Sequence, residues 1–490
     1  MKRFAHTAIR RSSGSLVAAA LLAAAPAAAE GGPSAASLDA PTAPLPRLGL
    51  SLETDPPLPG ESTAGWYGLG PASPGNALPA SARQGSGNEL TLERAVEIAL
   101  HNNGELRAVR HELEMTRGLQ RQAGVLPNPH LELEGVPHHG AAEVAIEYPI
   151  TRALLAPFRS SAAAAEVGAA RLRAKAAAIR TAFEVRSAWY AAQAAQQKLA
   201  LSNQALDAFV AGRDAARALL VAGNTIALDT ATQEAAYEGA RIRSAQLELE
   251  YHDAREKLHR LLGLHGEATT FTLPAALPAA PAAFPIEDEA AEKGAIAASI
   301  ELAELQQRME ASSSRASLGS AAGWIPDVSL RAFGEREEGE WAMGGGIELS
   351  LPIFDRGQGA VAAERASLAA LKARHEALAT EIRSAARAAR NRLRIAHAEL
   401  GHYERSVLPT RAKVLEEAVL QYNAMQVGVF QLLQYRRDQL EAQLAHVDAL
   451  RGYWTAAAAF EAVQSGARVE GGAAPSSAAA APSSSGGDSH

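Results

Sequence analysis

Apolar positions recur at helical spacing along a proline-free stretch from Phe158 to Leu273. Ile179, Phe183, Val185, Trp189 and Tyr190 begin the stripe, and Leu199, Leu206, Phe209 and Val210 continue it. The stretch is crowded with Ala, Leu, Gln, Glu and Arg, the strong helix formers. One break interrupts it, Val221-Ala222-Gly223-Asn224-Thr225, where Gly and Asn supply the left-handed conformation that ends a helix. The pattern predicts two long antiparallel helices joined at Gly223. The first arm, from about Phe158 to Leu220, would reach roughly 90–100 Å at 1.5 Å per residue. Globular helices average about three turns.

Ahead of this hairpin, the pattern predicts one helix from Thr91 to Ala123. Thr91 is its N-cap, and Leu92, Val96, Ile98, Ala99, Leu106, Val109 and Leu113 form its buried stripe. Two alternating segments follow, His130–Glu134 and Glu143–Tyr148, with the period of strands. Pro137-His138-His139-Gly140 is the expected turn between them.

The second half repeats the first. Ala123-Gly124-Val125-Leu126-Pro127 is matched by Ala322-Gly323-Trp324-Ile325-Pro326, and Tyr148-Pro149-Ile150 by Leu351-Pro352-Ile353. Arg217, Gly223 and Leu228 are matched by Tyr422, Gly428 and Leu433. Each copy reads helix, strand, strand, long helix, turn, long helix. The second strands are Val328 to Phe333 and Ile347 to Leu351, separated by a charged loop at Glu335–Glu340. Pro409 within the second copy's long arm predicts a kink.

Composition refines this picture. The 490 residues include no cysteine, which excludes disulfides, Cys-based zinc sites and a Cys nucleophile. The net charge of −7 gives no reason to expect nucleic acid as a partner. Residues 1–29 carry the marks of an export signal: Lys2, Arg3, Arg10 and Arg11, an apolar run, then Ala27-Ala28-Ala29. The expected organisation continues with a Pro/Ala/Gly-rich arm at 30–88 containing Trp66-Tyr67 and a first repeat at 89–272. A Pro/Ala linker at 273–285, a second repeat at 286–466 and a disordered tail at 467–490 complete it.

Enzyme chemistry is not in evidence. No Gly loop ends in Lys-Ser/Thr, and Gly344-Gly345-Gly346, read as preceding a strand, lacks dinucleotide spacing. His111-Glu112 and His375-Glu376 lack the second His of a zinc-protease helix. His138-His139 reads as a solvated turn or a weak metal pair, and His252 and His259 as packing or surface residues. No resident cofactor or metal is expected.

Four strands cannot close a barrel, because about eight is the smallest number that does. An exposed sheet edge is not tolerated in lipid, so membrane strands of this chain would have to be pooled among copies. Leu131, Leu133, Val144, Ile146, Val328, Leu330, Ile347 and Leu349 are the candidate barrel positions. Arg217, Gly223, Leu228, Asp229, Tyr422, Val427, Gly428, Val429, Phe430 and Leu433 are the candidate contacts at the far tips. The two glycines are read as equivalent turns needing backbone freedom, among apolar residues exposed for a partner.

On Leu90–Asn103, Gly124–Pro129 and Leu349–Gly357, in order and doubled, the chain resembles the TolC family of outer-membrane efflux ducts. Tyr422–Leu433 is similar to its cobalt-zinc-cadmium branch. The resemblance implies a mostly α fold with a small β part. It implies a homotrimer with a twelve-stranded outer-membrane barrel and a long periplasmic helical tunnel. It also implies a periplasmic adaptor and an inner-membrane RND pump as partners, contact with outer-membrane lipid, and heavy-metal cations as cargo. A drug, solvent or type I secretion duct shares that fold. A periplasmic coiled-coil adaptor or scaffold is the reading of a different class.

Overall fold

The computed structural model describes residues 89–136, 141–282, 288–337 and 340–469. The expected signal, the arm with Trp66-Tyr67, the His138-His139 pair and the tail beyond residue 469 lie outside the described residues.

The chain begins with α1 (Leu92–Asn102) and α2 (Gly104–Gly124). A single helix was expected here, and Asn103 divides it. Its side-chain oxygen accepts from the Leu106 amide at 3.0 Å, and its Nδ2 donates to the Leu261 carbonyl at 3.0 Å. One side chain therefore caps the new helix and ties it to the hairpin. Strands β1 (His130–Val136) and β2 (Ala141–Pro149) follow, then a short α3 (Ile150–Leu154). The long hairpin is α4 (Ala156–Val221, 66 residues) and α5 (Ala227–Leu262, 36 residues). Its only proline, Pro157, sits in the first turn, where it is tolerated, and the helix-forming composition beyond it supports an arm of roughly 100 Å.

The same order of elements then recurs: α6 (Asp288–Ala298), α7 (Ile300–Ala322), β3 (Asp327–Glu337) and β4 (Glu340–Ser350). The second long arm is α8 (Gln358–His402), one π turn at Tyr403–Val407, and α9 (Leu408–Asn423). The return helix α10 (Val429–Gln464) has 36 residues, as α5 does. The break expected at Pro409 takes the form of this π turn just before it. A wider turn absorbs the carbonyl that a proline cannot bond, and the helix resumes.

Both strand pairs join one antiparallel sheet in the order β1-β2-β3-β4. β3 and β4 extend beyond their expected ends. Gly344-Gly345-Gly346 sits inside β4 rather than before it, and Glu335 and Glu340 are strand residues rather than loop residues.

The core is at the waist of the helices, not under the sheet. Trp189 and Tyr190 of α4, Leu258 and Leu262 of α5, Leu393 of α8, and Val447 and Tyr453 of α10 belong to one buried cluster. Tyr190 stacks on Trp454 at 5.5 Å between centroids. Burial pushes the Tyr190 phenol up to about 12. Lys198 adds a polar tie: its buried ammonium lies 2.9 Å from Glu250 and 3.3 Å from Asp448, joining α4, α5 and α10.

Residues 273–282 of the linker cross this waist as a strap. Gln193 Nε2 donates to the Pro274 and Ala276 carbonyls at 3.2 and 2.6 Å. Trp454 Nε1 donates to Pro278 O at 2.8 Å, and His397 Nε2 lies 3.1 Å from Pro281 O. Leu273 and Leu277 are buried beneath it. The end of the second repeat and the first residues of the expected tail are also docked. Gly466, at φ +92°, accepts from the Ile300 amide, and Arg468 pairs with Glu301 and Glu381.

Truncating Leu258, which is fully buried, to alanine is expected to cost about 2–5 kcal/mol. The same change at exposed Leu228 is expected to stay within about 0.5 kcal/mol. Denaturant unfolding followed by circular dichroism measures both; equal costs would contradict a core confined to the waist.

Candidate functional site: the sheet faces and the helical tips

Residues directly opposite in an antiparallel ladder share a face. The register therefore places all eight expected barrel residues together. Leu131 faces Ile146, Leu133 faces Val144, Leu330 faces Ile347, and Val328 faces Leu349. Ile146 faces Ala332 and Tyr148 faces Leu330 across the joint between the two halves. This face is apolar and mostly exposed.

The opposite face is acidic. Glu134, Glu143 and Glu335 form one row across three strands, and Glu132, Glu147 and Glu348 lie on the same side. Like charges directly opposite one another destabilise a sheet. Arg331 offsets part of this, reaching Glu132 at 3.2 Å and Glu143 at 2.9 Å. Among the described residues Glu134, Glu147, Glu335 and Glu348 have no ion pair. Among the described residues the outer edges of β1 and β4 have no strand partner. Sequence reading marked the apolar half of each alternating segment and passed over the acidic half, although the same alternation carries both.

The tips lie at the other ends of the long helices. α4 ends at Val221 and α9 at Asn423, while α5 starts at Ala227 and α10 at Val429. Gly223 therefore corresponds to Met425, and Gly428 to Ile226. Both left-handed positions are filled, by Gly223 at φ +75° and Met425 at φ 58°. Each tip closes with the same bonds: Asn224 N to Leu219 O at 2.9 Å, and Gln426 N to Gln421 O at 2.9 Å. The expected equivalence of Gly223 and Gly428 is corrected by three residues. Gly428, at φ −76°, is the N-cap of α10 in an extended conformation open to any residue. The sequence match misled because it aligned two glycines instead of two helix ends.

The tips also differ in surface. Val221 and Met425 are 91% and 95% exposed, with Ile226, Leu228, Leu420 and Tyr422 exposed beside them. Val427, Val429, Phe430 and Leu433 are half-buried, contrary to the expected exposed patch. Leu433 packs against Gly212 of α4. Arg217 pairs with Glu234, and Asp229 accepts from the Thr225 hydroxyl at 2.9 Å.

Among the described residues, no cluster of three His, Asp or Glu side chains could hold a metal ion, and no helix is long and apolar enough to cross a membrane. No protein-family model matches the chain. The cobalt-zinc-cadmium resistance protein CzcC of Cupriavidus metallidurans is 27% identical over 405 residues, covering 79% of this chain and 92% of that protein. A membrane protein from Pseudomonas aeruginosa superposes with a TM-score of 0.65 at 21% identity, covering 76% of this chain and 92% of that one. The outer-membrane channel OprN superposes with a TM-score of 0.64 at 19% identity, covering 76% of this chain and 90% of that one. The fold is shared with outer-membrane channels.

The backbone angles predict a contrast at the tips. Gly223→Val places a β-branched residue in the left-handed region and is expected to weaken that tip by about 1–2 kcal/mol. Gly428→Val meets open space at an ordinary φ and is expected to leave its tip unchanged. Amide hydrogen exchange over residues 216–230 and 418–432 reads the difference. Equal loosening at both tips would overturn the assignment of equivalent positions.

Proposed function

Resemblance to the TolC-family outer-membrane efflux proteins holds in both sequence and fold, and on that premise we propose that the chain is the outer-membrane duct of a tripartite efflux system exporting heavy-metal cations. The observation that carries this reading is the two-faced, open-edged sheet. Its apolar face suits lipid, and its acidic face suits a water-filled lumen. Its unpaired edges require further copies, since unsatisfied backbone groups are costly in lipid. A homotrimer pooling twelve strands satisfies them, with the helices continuing as a tunnel into the periplasm.

The cation cargo is supported by the acidic face and by the likeness to CzcC, a cobalt-zinc-cadmium resistance protein. Carboxylates lining a narrow channel raise the local concentration of cations without binding any of them tightly. Release at the far end needs such weak, distributed attraction. Selection among metals then belongs to the inner-membrane RND pump. The exposed apolar tip residues, Val221, Ile226, Leu228 and Met425, are the proposed contacts with a periplasmic adaptor. Arg217, Asp229, Tyr422 and Gly428 complete that end, with the half-buried Val427, Val429, Phe430 and Leu433 beside them and Leu433 packed against Gly212 of α4.

Deleting the chain from a strain without redundant ducts is expected to lower tolerance to zinc, cobalt, cadmium or nickel. Loss of drug tolerance with metal tolerance intact would favour a drug or solvent duct. Outer-membrane extracts are expected to contain a heat-sensitive trimer; a detergent-free soluble monomer would favour the adaptor or scaffold reading. Replacing Glu134, Glu147, Glu335 and Glu348 with glutamine is expected to preserve the trimer and slow metal export by about tenfold. Unchanged export at normal protein level would remove the acidic face from the mechanism.

A further inference from the structure

Among the described residues a single arginine stands on the acidic face of the sheet. Arg331 lies on β3 directly opposite Glu147 of β2 and Gly346 of β4. Arg336 belongs to the other face, where it is paired with Trp341. The Nη2 of Arg331 donates to Glu143 Oε1 at 2.9 Å and lies 3.2 Å from Glu132 Oε2. One nitrogen atom therefore stands between two carboxylates that come from different strands.

The sheet is shaped for this reach. Side chains on one face recur every second residue, so the guanidinium must cross Ala145 to arrive at Glu143. Ala145 is the one buried residue of the sheet among those described. Opposite Arg331 and Phe333, β4 carries Gly346 and Gly344, which leave room for both side chains. A Cβ at Gly344 would meet the Phe333 ring at 2.6 Å. The Arg331 Nε is buried without a hydrogen-bond partner, so contact with the carboxylates decides where the group points. Screening the repulsion of the face needs only a cation nearby. It does not need one nitrogen shared by two carboxylates.

Two carboxylate oxygens converging on one point are the beginning of a divalent-cation site. Zinc and calcium ions hold carboxylate oxygens at about 2.0–2.6 Å, a contraction that two glutamate side chains can make. A tethered guanidinium competes for the same point at an effective concentration on the order of millimolar. Only a tightly held ion displaces it. In a duct, tight binding is a fault, because an ion that enters must also leave. Glu134, Glu147, Glu335 and Glu348 remain to draw cations in without holding them.

We propose that Arg331 keeps the acidic face from trapping its cargo: its guanidinium occupies the point where Glu132 and Glu143 would otherwise chelate a divalent cation. The proposal rests on the reading of the chain as a metal-exporting duct, and it names the residue that sets how tightly the lumen holds a metal ion.

The test pairs equilibrium dialysis of the full chain in detergent, with Cd2+ alone as the probe, with cadmium export from cells carrying each variant. Arg331→Gln is expected to gain one Cd2+ site per chain, about tenfold tighter than any in the unaltered protein, and to slow export by about the same factor. Arg331→Lys returns a cation to the point and is expected to bind and export as the unaltered chain does. Adding Glu132→Gln and Glu143→Gln to Arg331→Gln is expected to remove the gained site. Should Arg331→Gln fail to assemble, the same change is made together with Glu134→Gln, Glu147→Gln, Glu335→Gln and Glu348→Gln. That background removes repulsion, keeps Glu132 and Glu143, and carries the same expectation for binding. It also tells chelation at one point from a general gain of negative charge. No gained Cd2+ site in either background would overturn the proposal and leave Arg331 as a screen for repulsion within the sheet. A gained site with export unchanged would overturn it too, by taking the path of the metal off this face. Absence of the unaltered chain from the outer membrane would sink the duct reading and, with it, the role of Arg331 in export. The dialysis would still show whether the guanidinium blocks a metal site.

Discussion

Unpaired backbone at the edges of β1 and β4 is the constraint on which the rest of this structure depends. A four-stranded sheet with an apolar face exposed on one side and a row of glutamates on the other is not stable as an isolated layer. Among the described residues no helix is packed over either face, and the core is gathered at the waist of the helices. The sheet is therefore the part of the chain that depends most on its surroundings. The helices are the part that holds a shape by itself, through Trp189, Leu258, Val447 and the buried ammonium of Lys198.

The two halves meet this constraint with different local chemistry. α4 runs unbroken through 66 residues, while its counterpart needs a π turn before Pro409. One tip reverses on Gly223, which takes the left-handed conformation at no steric cost. The other reverses on Met425, which takes it with strain, while Leu433 of the return helix packs against Gly212 of α4. An equal return length of 36 residues in α5 and α10 keeps both tips at corresponding positions despite these differences.

Much of this was legible in the sequence because the signals were local. The helical stripe of α4, the alternation of the strands and the break at Gly223 each follow from residues within a few positions of one another. What was missed depended on distant partners. The division at Asn103 is visible only once Leu261 is known to accept its amide. The second tip was misplaced because Gly428 is a stronger sequence signal than Met425, although the backbone asks for the unusual conformation at the latter. The acidic face was overlooked because registry across strands, not order along one, assembles Glu134, Glu143 and Glu335.

The strap around the waist was read as a linker because its composition is that of one. Its attachments explain why composition is a poor guide there. Helix side chains, Gln193, His397 and Trp454, are the donors, and main-chain carbonyls of the strap are the acceptors. A carbonyl is present whatever residue carries it. Apart from the buried Leu273 and Leu277, the strap's side chains are thus free to change without loosening the grip. An inserted or deleted residue has the opposite effect, because it moves every later carbonyl out of step with its donor. For this segment, length is the constrained quantity and spelling is not.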